Sequence, residues 1–119
     1  MKTLILAALI AFSTTPAYSE WLDGNDLEFI CEPKYPADES SFAEMTQDER
    51  EKVFMCSNYI MGLLDGVDVY AIAKCIPEGV NLRQIMDMVR KYLKENPNTR
   101  HHPASEIIMK ATSEFECKF

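Results

Sequence analysis

Apolar residues recur along much of the chain at spacings of three and four, the period of a helix buried on one side. One such series runs through Val53, Cys56, Ile60, Leu63, Leu64, Val67 and Ala71. It opens behind Thr46-Gln47-Asp48-Glu49, where Thr46 and Glu49 have the spacing of a capping box. The pattern predicts one long helix ending near Ala73; Asp65-Gly66 is a turn signal in isolation, but the series keeps its phase across it. A second face, Ile85, Met88, Val89, Tyr92 and Leu93, follows Asn81 as N-cap and stops at Asn96-Pro97-Asn98. A third, Ala104, Ile107, Ile108, Ala111 and Phe115, begins at Pro103, a residue suited to a first helical turn. Ahead of all three, a short helix is expected over Asn25–Cys31 with Asn25 as its cap. Pro33 and Pro36 end it and open a polar loop that reaches Met45. No five-residue stretch alternates as a strand would and no internal repeat is found. The expected fold is all-α, a small disulfide-stapled bundle of about four helices.

The start of the chain has a different character. Lys2 is followed by an apolar run from Leu4 to Phe12, then Pro16 and Ala17-Tyr18-Ser19. Small residues at the first and third positions before Glu20 fit a signal-peptidase site, and the run is too short to span a bilayer. Residues 1–19 are therefore expected to be a cleaved signal peptide and 20–119 a single exported domain, with no membrane association after cleavage. An oxidising compartment makes Cys31, Cys56, Cys75 and Cys117 read as two disulfides, since a four-thiolate zinc site would bring close pairs. Nineteen residues along an unbroken helix separate Cys56 from Cys75 by about 28 Å, far beyond the ~7 Å that a disulfide spans. Two further helices of similar length, running down and back up, return Cys117 to the end where Cys75 sits. The expected bridges are Cys31–Cys56 and Cys75–Cys117.

The whole chain, 119 residues, carries a formal net charge of −7, which disfavours nucleic acid and anionic membrane surfaces as partners. Residues 20–68 hold thirteen Asp/Glu against three Lys/Arg, whereas residues 69–119 hold six against eight. That asymmetry either steers a cationic partner to the first half or serves solubility. Residues for catalysis are wanting. Each cysteine has an expected partner, and His101 and His102 are adjacent in a polar loop, without the helical spacing of a metal site. Asp48, Glu49 and Glu51 suit the positive end of a helix, and Asp65 and Asp68 suit solvent. No catalytic, metal or cofactor site is expected. Gly62 and Gly66 lie one turn apart, either to admit a close neighbour or merely softening the helix. Met55, Met61, Met86, Met88 and Met109 suit core packing better than an adaptable interface.

The segment Cys56-Ser57-Asn58-Tyr59-Ile60-Met61-Gly62 precedes Cys75-Ile76-Pro77-Glu78-Gly79-Val80, Gln84, Val89, Tyr92-Leu93, Pro97 and a closing Phe115-Glu116-Cys117. In this order the residues resemble the Rap/Tai immunity-protein family over about residues 26–117. Gly62, Pro77, Gly79 and the four cysteines match its structural positions, while Glu116 stands where a proline is common. The resemblance implies a bacterial periplasmic helical protein, often a homodimer. Such a protein protects the cell by filling the active-site cleft of a peptidoglycan-cleaving amidase effector of type VI secretion. No catalytic residue is carried over. On physical grounds the contact surface is expected at Asn96, Asn98, Thr99, Arg100, His101 and His102, a polar loop braced by two helices and taken to expose Arg100. The acidic loop Glu32–Met45, with Tyr35 and Phe42 as anchors, is the second choice. The competing class is a small periplasmic stress or chaperone-type binding protein that opens as its carboxylates protonate.

Overall fold

The computed structural model describes residues 22–66 and 76–115. They form five α-helices: α1 Gly24–Ile30, α2 Glu39–Glu44, α3 Gln47–Gly66, α4 Leu82–Glu95 and α5 Ala104–Thr112. Single 3-10 turns lie at Pro97–Thr99 and Ser113–Phe115, and there is no strand among the described residues. The signal peptide, the run of α3 beyond Gly66 towards Ala73 and the Cys75–Cys117 bridge lie outside those residues.

Side-chain oxygens set where four of the helices begin. Thr46 and Glu49 form the expected reciprocal cap: Glu49 N–H donates to Thr46 Oγ1 (3.2 Å) and Thr46 N–H to Glu49 Oε2 (2.8 Å). Asn81 Oδ1 accepts from Gln84 N–H at the start of α4. At α1 the cap is Asp23 instead of Asn25. Its Oδ1 accepts from the N–H groups of both Asn25 and Asp26, and the Asp26 carboxylate returns a bond to Asp23 N–H. This carboxylate, two residues upstream, takes two orphan donors at once and is itself held by Asp26. The loop from Glu32 to Met45 is broken by α2, a helix of six residues capped by Asp38 through Ser41 N–H. No residue of α2 is buried, so no apolar stripe announces it.

Hydrogen bonds from the Asp26 and Asn25 backbones hold the Asp23 carboxyl below its ordinary value, outweighing a smaller upward push from burial. A depressed folded pKa contributes stability above the unfolded value, about 3.9, and loses it as pH falls through the folded value. Asp23→Ala should cost about 1 kcal/mol at neutral pH, and that gap should narrow as pH drops below about 4. Thermal melts of both proteins across that range check the result.

The core is drawn from four helices. Leu27, Ile30 and Cys31 come from α1 and its end, Cys56 and Ile60 from α3, Ile85, Met86, Val89 and Leu93 from α4, and Ala104, Ile107, Ile108 and Ala111 from α5. Each large side chain so enclosed contributes about 1.5–3 kcal/mol relative to exposure. Met86 belongs to this core, fully buried, as the core-packing use of the methionines predicts, whereas Met55 and Met61 face solvent. The bridge Cys31–Cys56, with its Cα atoms 5.1 Å apart, joins the end of α1 to the middle of α3. No described helix is long and apolar enough to cross a membrane.

Candidate functional site

The polar segment between α4 and α5 is more deeply tied into the fold than its composition suggests. Asn96 closes α4, its backbone N–H and its Nδ2 both donating to Tyr92 O at 2.9 Å. Thr99 turns back on Asn96 O through its N–H and its Oγ1, and His102 N–H donates to Thr99 O. Two carbonyls of the segment then serve α1: Gly24 N–H donates to His102 O (2.9 Å) and Asn25 N–H to Arg100 O (3.0 Å). Ala104 N–H in turn donates to Leu22 O, and Asp23 and Pro103 form a lone antiparallel bridge. The first turns of α1 and α5 are thereby pinned side by side.

Arg100 is half-buried, contrary to the expected exposure. Its Nε donates to Leu93 O (2.9 Å), satisfying a terminal carbonyl of α4, and its Nη2 lies 2.9 Å from Glu28 Oε1 on α1. A guanidinium with several donors can join three elements in this way, and the sequence does not reveal that its partners lie within the chain. His102 Nδ1 sits 3.0 Å from Glu106 Oε1, which also takes the Lys110 ammonium at 2.6 Å. Lys110 and then His102 hold the Glu106 carboxyl below its ordinary value, and Glu106 raises Lys110. What remains turned to solvent is Pro97, Asn98 and His101. The structure thus divides the predicted contact residues: Asn96, Thr99, Arg100 and His102 build the segment, and Asn98 and His101 are presented by it.

This division is testable. Arg100→Ala should lower stability by about 1–2 kcal/mol, because it leaves Leu93 O and Glu28 without their partner. Changing Asn98 and His101 together to Ala should leave the unfolding midpoint within about 0.5 kcal/mol of the parent. Chemical denaturation of the two variants separates the roles.

The second predicted surface also changes form. Tyr35 is half-buried and packs on the core, while Phe42 stands exposed on α2 beneath Arg50, whose guanidinium carbon lies 5.1 Å from the ring centroid. Arg50 also donates to Phe42 O and Ala43 O, so one cation fastens α2 onto α3. Across α3, Lys52 Nζ lies 4.1 Å from the centroid of the Phe29 ring and within reach of Glu32 and Asp48. Partial burial pulls the Lys52 ammonium down, but the two carboxylates outweigh it and its pKa is raised. Between α1 and α4 runs a groove of about 480 Å³, in which Arg90, Lys91 and Lys94 share the lining with Glu28 and Glu32 above Cys31 and Leu93. Charges of both signs line it.

Among the described residues no group of three or more His, Cys, Asp or Glu side chains is placed to hold a metal. Every buried side-chain nitrogen or oxygen among them has a hydrogen-bond partner. An orphaned polar atom that would point to a bound small molecule is therefore not found there. The family model for Rap1a immunity proteins matches residues 23–117 of the chain. No curated protein and no solved structure matches it.

Proposed function

The chain belongs to the Rap1a immunity protein family, and we propose that it is the periplasmic inhibitor of a peptidoglycan amidase delivered by type VI secretion. In this reading residues 1–19 are removed on export and residues 20–119 act as the inhibitor in the periplasm, as a homodimer. It works by binding alone, placing the Asn96–His102 segment in the active-site cleft so that the peptide substrate is shut out.

The observation that supports this segment as the contact is its bracing. Carbonyls and side chains from Asn96 to His102 are held by α1, α4 and α5, while Asn98 and His101 stay free. A segment already fixed in one shape loses little entropy on binding, which favours a tight inhibitor. Disulfide stapling suits a protein exposed to an oxidising compartment.

The experiment is a pull-down with the mature, oxidised protein from a lysate containing secreted effectors, followed by an amidase assay. Capture of a peptidoglycan hydrolase whose activity disappears at equal molar amounts is the expected result. If captured hydrolases keep their activity, or none is captured, the reading fails. Light scattering on the same protein distinguishes the homodimer from a monomer.

A further inference from the structure

Cys31 and Leu93 form the floor of the groove between α1 and α4. Both belong to the hydrophobic core, so the groove reaches down to apolar side chains. Its walls are Glu28, Glu32, Asp87, Arg90, Lys91 and Lys94, whose methylene stems lie beneath their charges. At about 480 Å³ it has the size of a small-molecule site.

The charges at the rim are of both signs, but they are not equally committed. Glu28 holds Arg100 at 2.9 Å, Glu32 holds Lys52 at 3.4 Å and Asp87 holds Arg90 at 3.6 Å. Each carboxylate of the groove thus has a cation of the chain beside it. Lys91 and Lys94 are exposed, and neither ammonium has a carboxylate within 4 Å among the described residues. Nor is Lys94 spent on closing α4, because the carbonyls of Tyr92 and Leu93 are taken by Asn96 and Arg100. Residues 22–66 and 76–115 hold sixteen Asp/Glu against nine Lys/Arg. Two unpaired ammonium groups one helical turn apart run against that excess of acid. An apolar floor under two such cations fits an anion with an aliphatic body. A bare inorganic anion would leave the floor unused, and a second copy meeting through the same groove would set lysine against lysine.

We propose that the α1–α4 groove binds a small anionic amphiphile, an aliphatic carboxylate, with its chain against Cys31 and Leu93 and its head between Lys91 and Lys94. None of the lining residues belongs to the Asn96–His102 segment, so the inference goes beyond the inhibitory reading and does not depend on it. The occupant spans α1 and α4 and adds to the contacts that hold the short α1 in place.

The test is an NMR titration of the mature, oxidised protein with octanoate, a soluble probe of that chemistry. Amides of Cys31, Arg90, Lys91, Leu93 and Lys94 are expected to shift saturably, and the affinity should fall as salt is raised. Octanol should bind about tenfold more weakly than octanoate, and acetate should give no saturable shift. Lys91→Gln combined with Lys94→Gln should bring octanoate down to the affinity of octanol. Arg83→Gln, which removes an exposed cation of the same helix outside the groove, should change nothing. All three side chains are exposed, so the unfolding midpoints of these variants should match the parent's. Equal binding of octanol and octanoate would overturn the proposal, as would shifts centred away from the groove or an unaltered affinity in the paired lysine variant. A response to anionic phospholipid vesicles with none to octanoate would also overturn it, assigning the lysines to a membrane surface. No arm contains an effector, so failure here leaves the inhibitory reading intact, and a failed pull-down leaves this site to be judged by its own titration.

Discussion

Gly24→Ala is expected to destabilise the fold by about 3 kcal/mol although it adds a single methyl group. Gly24 opens α1 and is buried where α1, α5 and the Asn96–His102 segment converge. A Cβ built there would collide with Ile107 Cδ1 and come within 2.6 Å of Arg100 O and 2.7 Å of Arg100 Cα. The Ile107 methyl could rotate aside, but it is fully buried and has little free volume to enter. Arg100 O is backbone, and it cannot retreat without surrendering the bond from Asn25 N–H. Moving α1 outward instead would break the Gly24 N–H bond to His102 O. The alanine therefore loses on either path. Gly62→Ala is the matched control: it lies within α3 and its Cβ meets no described atom within 4 Å, so it should stabilise by about 0.5–1 kcal/mol. Urea unfolding of the two variants beside the parent checks both signs. Equal midpoints for Gly24→Ala and the parent would show that the α1–α5 junction is looser than its geometry indicates.

Gly24 also marks the limit of what the sequence discloses. Helical faces depend on residues three and four apart, and those of α4 and α5 were largely legible: Ile85, Val89 and Leu93 are buried, as are Ala104, Ile107, Ile108 and Ala111, while Met88, Tyr92 and Phe115 are half-buried and Met86, outside the expected face, is fully enclosed. Caps are equally local, so Thr46 with Glu49, and Asn81, sit where their spacing puts them. The cap of α1 was misplaced by two residues because Asp23 is reciprocated by Asp26, an aspartate where a glutamate or glutamine would have drawn notice. Asp38 caps α2 by accepting from both the N–H and the Oγ of Ser41, just after two prolines that argue for a loop. The Cys31–Cys56 bridge followed from helix length together with the down-and-back course expected of the later helices. Gly24 and Arg100 obey no such local rule. Their roles arise from α1 meeting a segment more than seventy residues later, and one sequence carries no mark of that meeting. The candidate contact was legible as a polar segment between helices. Its division into builders and presented groups required the hydrogen bonds.

Replacing Cys31 and Cys56 together by alanine is expected to cost about 3.5 kcal/mol, the chain entropy of releasing a loop of this size. The bridge spans 25 residues, and a domain of ordinary stability has only about 5–15 kcal/mol in all. Both sulfurs lie in the core, with neither cysteine exposed, so the paired change also opens a small cavity and cannot be recovered by solvent. The consequence should be uneven across the molecule. At seven residues, α1 is too short to persist unless tethered; its ties are the bridge, the burial of Leu27 and Ile30, the Arg100–Glu28 pair and the Gly24 and Asn25 N–H bonds to the Asn96–His102 segment, with the Lys52–Glu32 pair just beyond its end. Once α1 loosens, the donors at its N-terminus leave Arg100 O and His102 O, and the Asn96–His102 segment loses the bracing that holds Asn98 and His101 in place. Amide exchange at Gly24 and Asn25 should therefore accelerate in the alanine pair more than exchange in the middle of α4, under conditions where the protein remains folded. The substitution isolates this bridge, as a reductant would not. Uniform acceleration across α1 and α4 would mean that the bridge acts only on the unfolded chain. Preferential loss at α1 would make it the device that keeps the proposed contact segment rigid.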